Sequence, residues 1–370
     1  MLSFYLIWTL IYFLLLSKLA KFWPVKVSEP KPVQKFPKVS ILIPCRNEAV
    51  NIHCLAGELK KLQFPNLEVI LVDDNSEDGT FKLIDAARIN DSRIVALRSP
   101  CQGKKAALEF GIDQANGEII LCSDADCSFP ENWVESMISP FENRETQLVA
   151  GSVMVTANGK FLQAFQQADW ASILLITAYF FSKNKPLMCS GANLAYRKSG
   201  FLEVRGYEGN RDFSSGDDEF LLKKIVRTFG AGSCVYLPFE KNLVQTNAEP
   251  SWGALFNQRV RWAGKWKAHR SILHAVSAVF SFLIQLVWLG SFGLLGCGSI
   301  GLVVFSLVWI FKILAEKRSL GKVLRGLEFN YDKTNSVMTS FIHPIYVLAV
   351  GIGAIVGNFT WKGRRTSRSV

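Results

Sequence analysis

The chain has 370 residues, beyond the usual domain size of about 100–200. Apolar residues make up 49%, charged residues 20%, and the formal net charge is +11. A basic balance suits nucleic acid, an anionic membrane surface or phosphorylated substrates. No zinc-finger spacing or other nucleic-acid motif is present, and the basic residues flank apolar runs, so a membrane and no nucleic acid is expected. None of the eight cysteines forms a C-x-x-C pair, which argues against a structural zinc site and for reduced thiols of a cytoplasmic domain.

Leu2 to Leu16 is nearly all apolar, extends weakly to Trp23, and is followed by Lys18, Lys21 and Lys26. It lacks a basic start and a small-residue cleavage site, so residues 1–23 read as a retained membrane anchor, with Trp23 and Pro24 near the interface. Residues 24–38 form a Pro/Lys-rich linker. From Val39, short apolar strands alternate with helices: Val39–Ile43, Leu67–Val72, Arg93–Leu97 and Glu118–Cys122, separated by helical stretches such as Ala49–Leu62 and Lys104–Ala115. This predicts an α/β, doubly wound, mostly parallel sheet over 39–266, with ligands at the carboxyl ends of its strands. Beyond it, Ser271–Leu289, Gly293–Ile313 and Ser340–Asn358 are each long enough to span a bilayer, although His274 and Gln285 weaken the first. The expected order is membrane helices over 267–314, a basic loop over 315–339 (Lys317, Arg318, Lys322, Arg325), a span over 340–358 and a basic tail over 359–370. Three crossings would put that tail outside, whereas Lys362, Arg364, Arg365 and Arg368 favour the inside.

The polar clusters fall at the strand ends. Pro44-Cys45-Arg46-Asn47-Glu48 closes the first strand and opens a helix whose free N–H groups suit phosphate. Asp73-Asp74-Asn75-Ser76 closes the second, where an Asx turn with a helix cap is the alternative. Asp124 and Asp126 follow the fourth; two carboxylates there are costly without a counter-charge, and a hard divalent cation with a diphosphate would satisfy them. Ser215-Gly216-Asp217-Asp218-Glu219 precedes a helical run; one carboxylate could act as a general base, or all three acids could simply favour the helix dipole. Gln258-Arg259-Val260-Arg261-Trp262 lies just before the membrane region and could be an interface anchor.

In this order the clusters resemble the family 2 inverting glycosyltransferases, in particular the membrane-embedded branch of cellulose, chitin, hyaluronan and poly-N-acetylglucosamine synthases. The markers are P-x-x-N-E at Pro44–Glu48, V-D-D-x-S at Val72–Ser76, G-K-x-x-A-L at Gly103–Leu108, D-A-D at Asp124–Asp126, an acidic pair with x-x-L at Asp217–Leu221, and Q-x-x-R-W at Gln258–Trp262. The resemblance implies a GT-A-like fold and inverting transfer from a UDP-sugar to a saccharide or lipid-linked acceptor. It places Pro44, Asn47, Glu48, Asp73, Asp74, Lys104 and Asp124 at the donor, Asp73 and Asp74 against the uridine, and Mg²⁺ or Mn²⁺ on Asp124 and Asp126. It makes Asp218 the catalytic base with Asp217 beside it, and sets Gln258, Arg261 and Trp262 by the diphosphate and acceptor. It further implies an inner or plasma membrane location, a cytoplasmic catalytic domain and accessory export subunits. The chain departs from the pattern in three places: Asp217 replaces the usual Glu, Glu109 stands where Asn is common, and Cys189-Ser190-Gly191-Ala192-Asn193 matches the acceptor loop of the polymer synthases only loosely. Transfer of a single sugar to a lipid carrier therefore stays open beside polymerisation, and a nucleotidyltransferase remains as a different class.

Overall fold

The structure is a computed structural model that describes residues 1–24, 36–211, 213, 215–264, 272–356, 359–361 and 364–366. Most of the expected linker, the head of the first C-terminal span and much of the basic tail lie outside the described residues. In chain order, α1 (Leu2–Lys21) precedes β1 (Val39–Cys45), α2 (Ala49–Lys61), β2 (Leu67–Asp73), α3 (Thr80–Asn90), β3 (Ile94–Arg98), α4 (Lys104–Gln114) and β4 (Ile119–Cys122). There follow β5 (Cys127–Ser128), α5 (Trp133–Ile138), β6 (Leu148–Gly151), β7 (Val153–Val155), α6 (Phe161–Ser182), β8 (Leu194–Arg197), α7 (Lys198–Glu203) and α8 (Asp217–Phe229). The remainder is β9 (Cys234–Leu237), β10 (Val244–Thr246), α9 (Trp252–Ala263), α10 (Ile272–Gly290), α11 (Gly298–Gly326) and α12 (Lys333–Val356).

The chain forms two compact units. One comprises Met1–Val25, Ala157–Tyr179 and Ala248–Phe359; the other comprises Lys26–Thr156, Phe180–Asn247 and Thr360–Val370. The expected single domain over 39–266 is thus divided, because most of α6 and all of α9 belong with the apolar helices.

The second unit is built on a seven-stranded sheet in the order β3-β2-β1-β4-β8-β6-β9. Strands β1 to β4 are parallel and β8 runs antiparallel between β4 and β6. This is the GT-A-like α/β architecture. Strand β1 is apolar through Val39, Ile41, Leu42 and Ile43 because helices cover both faces of the parallel half. Each such side chain contributes about 1.5–3 kcal/mol on burial. Helix α4 lies hard against β1: a Cβ on Gly111 would collide with Leu42 Cδ1. That close approach sets where Lys104, the first residue of α4, stands. The N-terminal residue of α8 is reached through Gly216 at φ +83°, and the helix ends at Gly230 at φ +84°, both left-handed positions that glycine adopts without strain.

In the first unit four helices are long and apolar enough to cross a membrane: Leu2–Lys21, Val279–Gly296, Gly298–Gly326 and Lys333–Val356. The segment expected as a basic loop, 315–339, is largely helical, since α11 runs on to Gly326 and α12 begins at Lys333. Burial explains the extension. Lys312 donates to Glu316 Oε1 at 2.6 Å and to the Ser340 carbonyl at 2.8 Å, and Tyr12 donates to Glu316 Oε1 at 2.8 Å. This paired group of charges joins α1, α11 and α12 and leaves no ion unmatched within it. Trp23, expected near the interface, is buried against Gly326. Gln285, which weakens the first C-terminal span as a sequence, is buried. All eight cysteines are free.

Candidate active site

The candidate site lies at the carboxyl ends of β1, β2 and β4. Asp73 ends β2, where its carboxylate accepts from Ser76 N at 3.3 Å, and Asp74 follows, buried, with its Oδ1 accepting from Gly103 N at 2.8 Å. Gly103 stands at φ +111°, directly before Lys104. The loop after β2 is thereby stitched to the start of α4.

Lys104 joins two elements that lie far apart in the chain. Its Nζ is 2.8 Å from Asp124 Oδ1 and 3.3 Å from Asp217 Oδ2. Burial opposes its charge, but Asp124 and Asp217, with Asp218 behind them, more than offset that and hold the ammonium well above the usual lysine range. The counter-charge that the D-A-D strand end requires is therefore Lys104, 20 residues earlier in sequence. Asp126 is held differently: its Oδ2 accepts from Thr246 Oγ1 at 3.0 Å.

The acidic pair sits in the first turn of α8. The helix cap is Gly216, not an aspartate, and Asp218 turns towards the loop before β8: its Oδ2 accepts from Gly191 N at 3.0 Å while Oδ1 accepts from Glu219 N at 2.7 Å. Gly191 is packed so closely that a Cβ would meet Asp217 Oδ2 at 2.8 Å. Ser123 Oγ donates to the Ala192 carbonyl at 2.8 Å and fixes the same loop to the end of β4. Asn193 anchors its far side, donating to the Ser152 and Asn242 carbonyls, each at 2.8 Å.

The first cluster is used mainly within the protein. Asn47, at φ +49°, donates through its N–H to Ser76 Oγ and accepts on Oδ1 from Glu77 N. Glu48 N donates to Thr80 Oγ1, and Ala49 N, at the head of α2, donates to Asp78 Oδ2 at 3.0 Å. The Asp78 carboxylate thus takes a place at this helix start that the sequence reading gave to phosphate. Pro44 lies within β1.

Two aspartates alone do not make a metal cage. Among the described residues no group of three His, Cys, Asp or Glu side chains could hold an ion. The donor chemistry nevertheless fits a hard divalent cation: Asp124 and Asp126 offer carboxylate oxygens, and Mg²⁺ or Mn²⁺ at nucleotide sites completes its shell with diphosphate oxygens and water.

Gln258, Arg261 and Trp262 lie on α9, in the other compact unit. Gln258 Nε2 donates to Glu249 Oε1 at 2.6 Å, and Trp262 meets Trp170 edge-on at 5.4 Å between ring centres. The sequence reading passed over Arg259 between them. Its Nε donates to Asp169 Oδ2 at 2.8 Å, its guanidinium lies 4.2 Å from the Trp262 ring centre, and His343 Nε2 is 3.4 Å from Asp169 Oδ1. One signal was available: Asp169 is the single acid in the long run Phe161–Ser182. Its partner, 90 residues on, is not readable locally.

The second unit is thus a GT-A-like sheet in which Lys104 bridges Asp124, past the end of β4, and Asp217, at the start of α8. Residues 40–205 match the model of Glycosyl transferase family 2. The chain is 27% identical over 235 residues to the poly-beta-1,6-N-acetyl-D-glucosamine synthase of Staphylococcus epidermidis, covering 62% of this chain and 55% of that one. Over 123 residues it is 33% identical to glycosyltransferase AglE of Haloferax volcanii, covering 32% of this chain and 40% of the relative. The chain therefore spans only about half the length of these relatives. Among solved structures, the mannosyltransferase PcManGT of Pyrobaculum calidifontis, in complex with GDP-Man and Mn²⁺, has the same fold. Its TM-score is 0.60 at 19% identity, over 95% of this chain and 96% of that one.

Proposed function

We propose that this chain transfers a sugar from a UDP-sugar to a saccharide or lipid-linked acceptor at a membrane, by single displacement with inversion, forming a β-glycosidic bond. The observation that carries the reading is Lys104 lodged between Asp124 and Asp217 inside a family 2 domain. In this reading Asp73 and Asp74 contact the uridine, Lys104 lies on the nucleotide side, and Asp124 and Asp126 hold Mg²⁺ or Mn²⁺. The mannosyltransferase of the same fold was solved with Mn²⁺. When bound, such a cation supplies positive charge for the departing diphosphate.

Asp218 accepts the proton of the acceptor hydroxyl as that oxygen attacks the anomeric carbon. The Gly191 and Glu219 N–H groups hold its carboxylate in one orientation, so positioning is present before the acceptor arrives. Gln258, Arg261 and Trp262 serve the diphosphate and the acceptor. Four helices long and apolar enough to cross a membrane support membrane association; in this reading the membrane is an inner or plasma membrane, the catalytic unit faces the cytoplasm, and export subunits join it there.

The test is release of UDP by the purified protein across a panel of UDP-sugars. Release with one donor supports the reading. Pyrophosphate in place of UDP would instead identify a nucleotidyltransferase, and product length would distinguish polymerisation from transfer of one sugar to a lipid carrier.

A further inference from the structure

The stretch 204–211, which leads towards the acidic pair, has little regular structure to hold it. Between α7 and α8 it passes through Arg205, Gly206 and Gly209 at φ +56°, +41° and +80°, a run of left-handed turns. It is clasped from outside. Lys224, on α8, donates to the carbonyls of Gly206 and Glu208 at 2.7 and 2.8 Å. From the other side come two residues of α4. Lys105 Nζ donates to the Asn210 carbonyl at 2.6 Å and lies 4.8 Å from the Phe220 ring centre. Glu109 accepts from Tyr207 N at 3.2 Å, and from Arg211 Nε and Nη2 at 2.8 and 3.1 Å.

Helix α4 is the same helix whose first residue bridges Asp124 and Asp217. Lys104 and Lys105 lie in the first turn of one rigid element and Glu109 in the next. The first meets the acids directly, and the other two hold the chain that leads into them. We infer that Glu109 is a positioning residue for glycosyl transfer: through Arg211 and the Tyr207 N–H it fixes the 205–211 segment to α4, and so sets Asp217–Asp218 in register with Lys104. This rests on the assignment of the base to Asp218. It also gives a physical role to the acid found where the family resemblance leads one to expect Asn.

The pair suits a clean test because its loss should not unfold the protein. The Arg211 side chain is 63% exposed and that of Glu109 20%, and a pair with so exposed a member adds little to folding stability. The variants are Glu109→Ala, Arg211→Ala and the double substitution. Two readouts are taken on each full-length protein: hydrogen–deuterium exchange across 204–218, and steady-state UDP release with UDP affinity measured separately. We expect faster exchange in that segment for each single variant. We expect kcat to fall about 10- to 100-fold, the size of loss that a small misplacement of reacting groups produces. UDP affinity should stay within about twofold, since no nucleotide contact is touched. The two losses in kcat should be non-additive, because both substitutions release one tether.

Unchanged exchange in Glu109→Ala would overturn the tether, whatever the activity. Faster exchange with wild-type kcat, or additive losses, would overturn the positioning role. Full activity of Asp218→Asn beside impaired Glu109→Ala would instead remove the base assignment and leave the tether standing.

Discussion

Gly191→Ala probes the contact on which the acidic pair depends. A Cβ at this position would stand 2.8 Å from Asp217 Oδ2, about 0.6 Å inside the 3.4 Å at which ordinary contact begins. The Asp218 Cβ and Lys104 Nζ, both 3.7 Å away, would be touched without clash. Asp217 must therefore move, and its 3.3 Å link to Lys104 lengthens or turns. Overpacking of this kind costs about 1–3 kcal/mol. The same shift disturbs the loop whose N–H orients Asp218, so kcat should drop by about 10- to 100-fold. The assay is UDP release beside thermal melting and UDP affinity. Gly57→Ala is the control: its Cβ meets nothing within 4 Å in the middle of α2, and the change should stabilise by about 0.5–1 kcal/mol with activity intact. If Gly191→Ala turned over like wild type, the acids could shift freely, and their registration against this loop would have no part in the reaction.

Three further outcomes follow from the same geometry. Asp218→Asn keeps the size of the side chain but cannot take the proton, so transfer should fall by about 10²- to 10⁴-fold at near-normal UDP affinity; ordinary turnover would return Asp218 to a purely structural place in α8. Asp126→Ala should abolish transfer in a folded, membrane-inserted protein, and EDTA should do the same to the wild type until Mn²⁺ or Mg²⁺ is restored; full activity in chelator would refute the metal assignment. Burial pushes the Asp169 carboxyl up, but Arg259 and His343 more than offset it and hold it at about 2, below the free value of 3.8. A depressed carboxylate contributes stability that is complete above pH about 4 and lost as pH falls through about 2, here about 2–3 kcal/mol. The melting temperatures of wild type and Asp169→Asn should converge over that window, and a constant gap would show that Asp169 does not titrate there.

The parallel half of the sheet was legible to within a residue or two. Buried parallel strands must be continuously apolar, and Ile41-Leu42-Ile43 and Ile119-Ile120-Leu121 can be little else. The antiparallel insertion of β8 was not legible, because Leu194–Arg197 is four residues long and gains its meaning only from pairing with β4 and β6. The apolar spans were legible by length, but the ends of α11 and α12 were not. Lys312 falls at the end of the expected span and Glu316 at the start of the expected loop, and the two stay helical because they pair with each other and with Tyr12 and Ser340 from other helices.

The sequence by itself determined the strand ends at which polar residues collect, the apolar helices and the family resemblance, because each is written in local pattern and spacing. Only the tertiary structure decided how charge is balanced. Lys104 answers Asp124 and Asp217, Arg259 answers Asp169, and Arg211 answers Glu109, across separations of 20 to 113 residues. Ion pairing depends on distance in space, and nothing in the sequence around either partner records it.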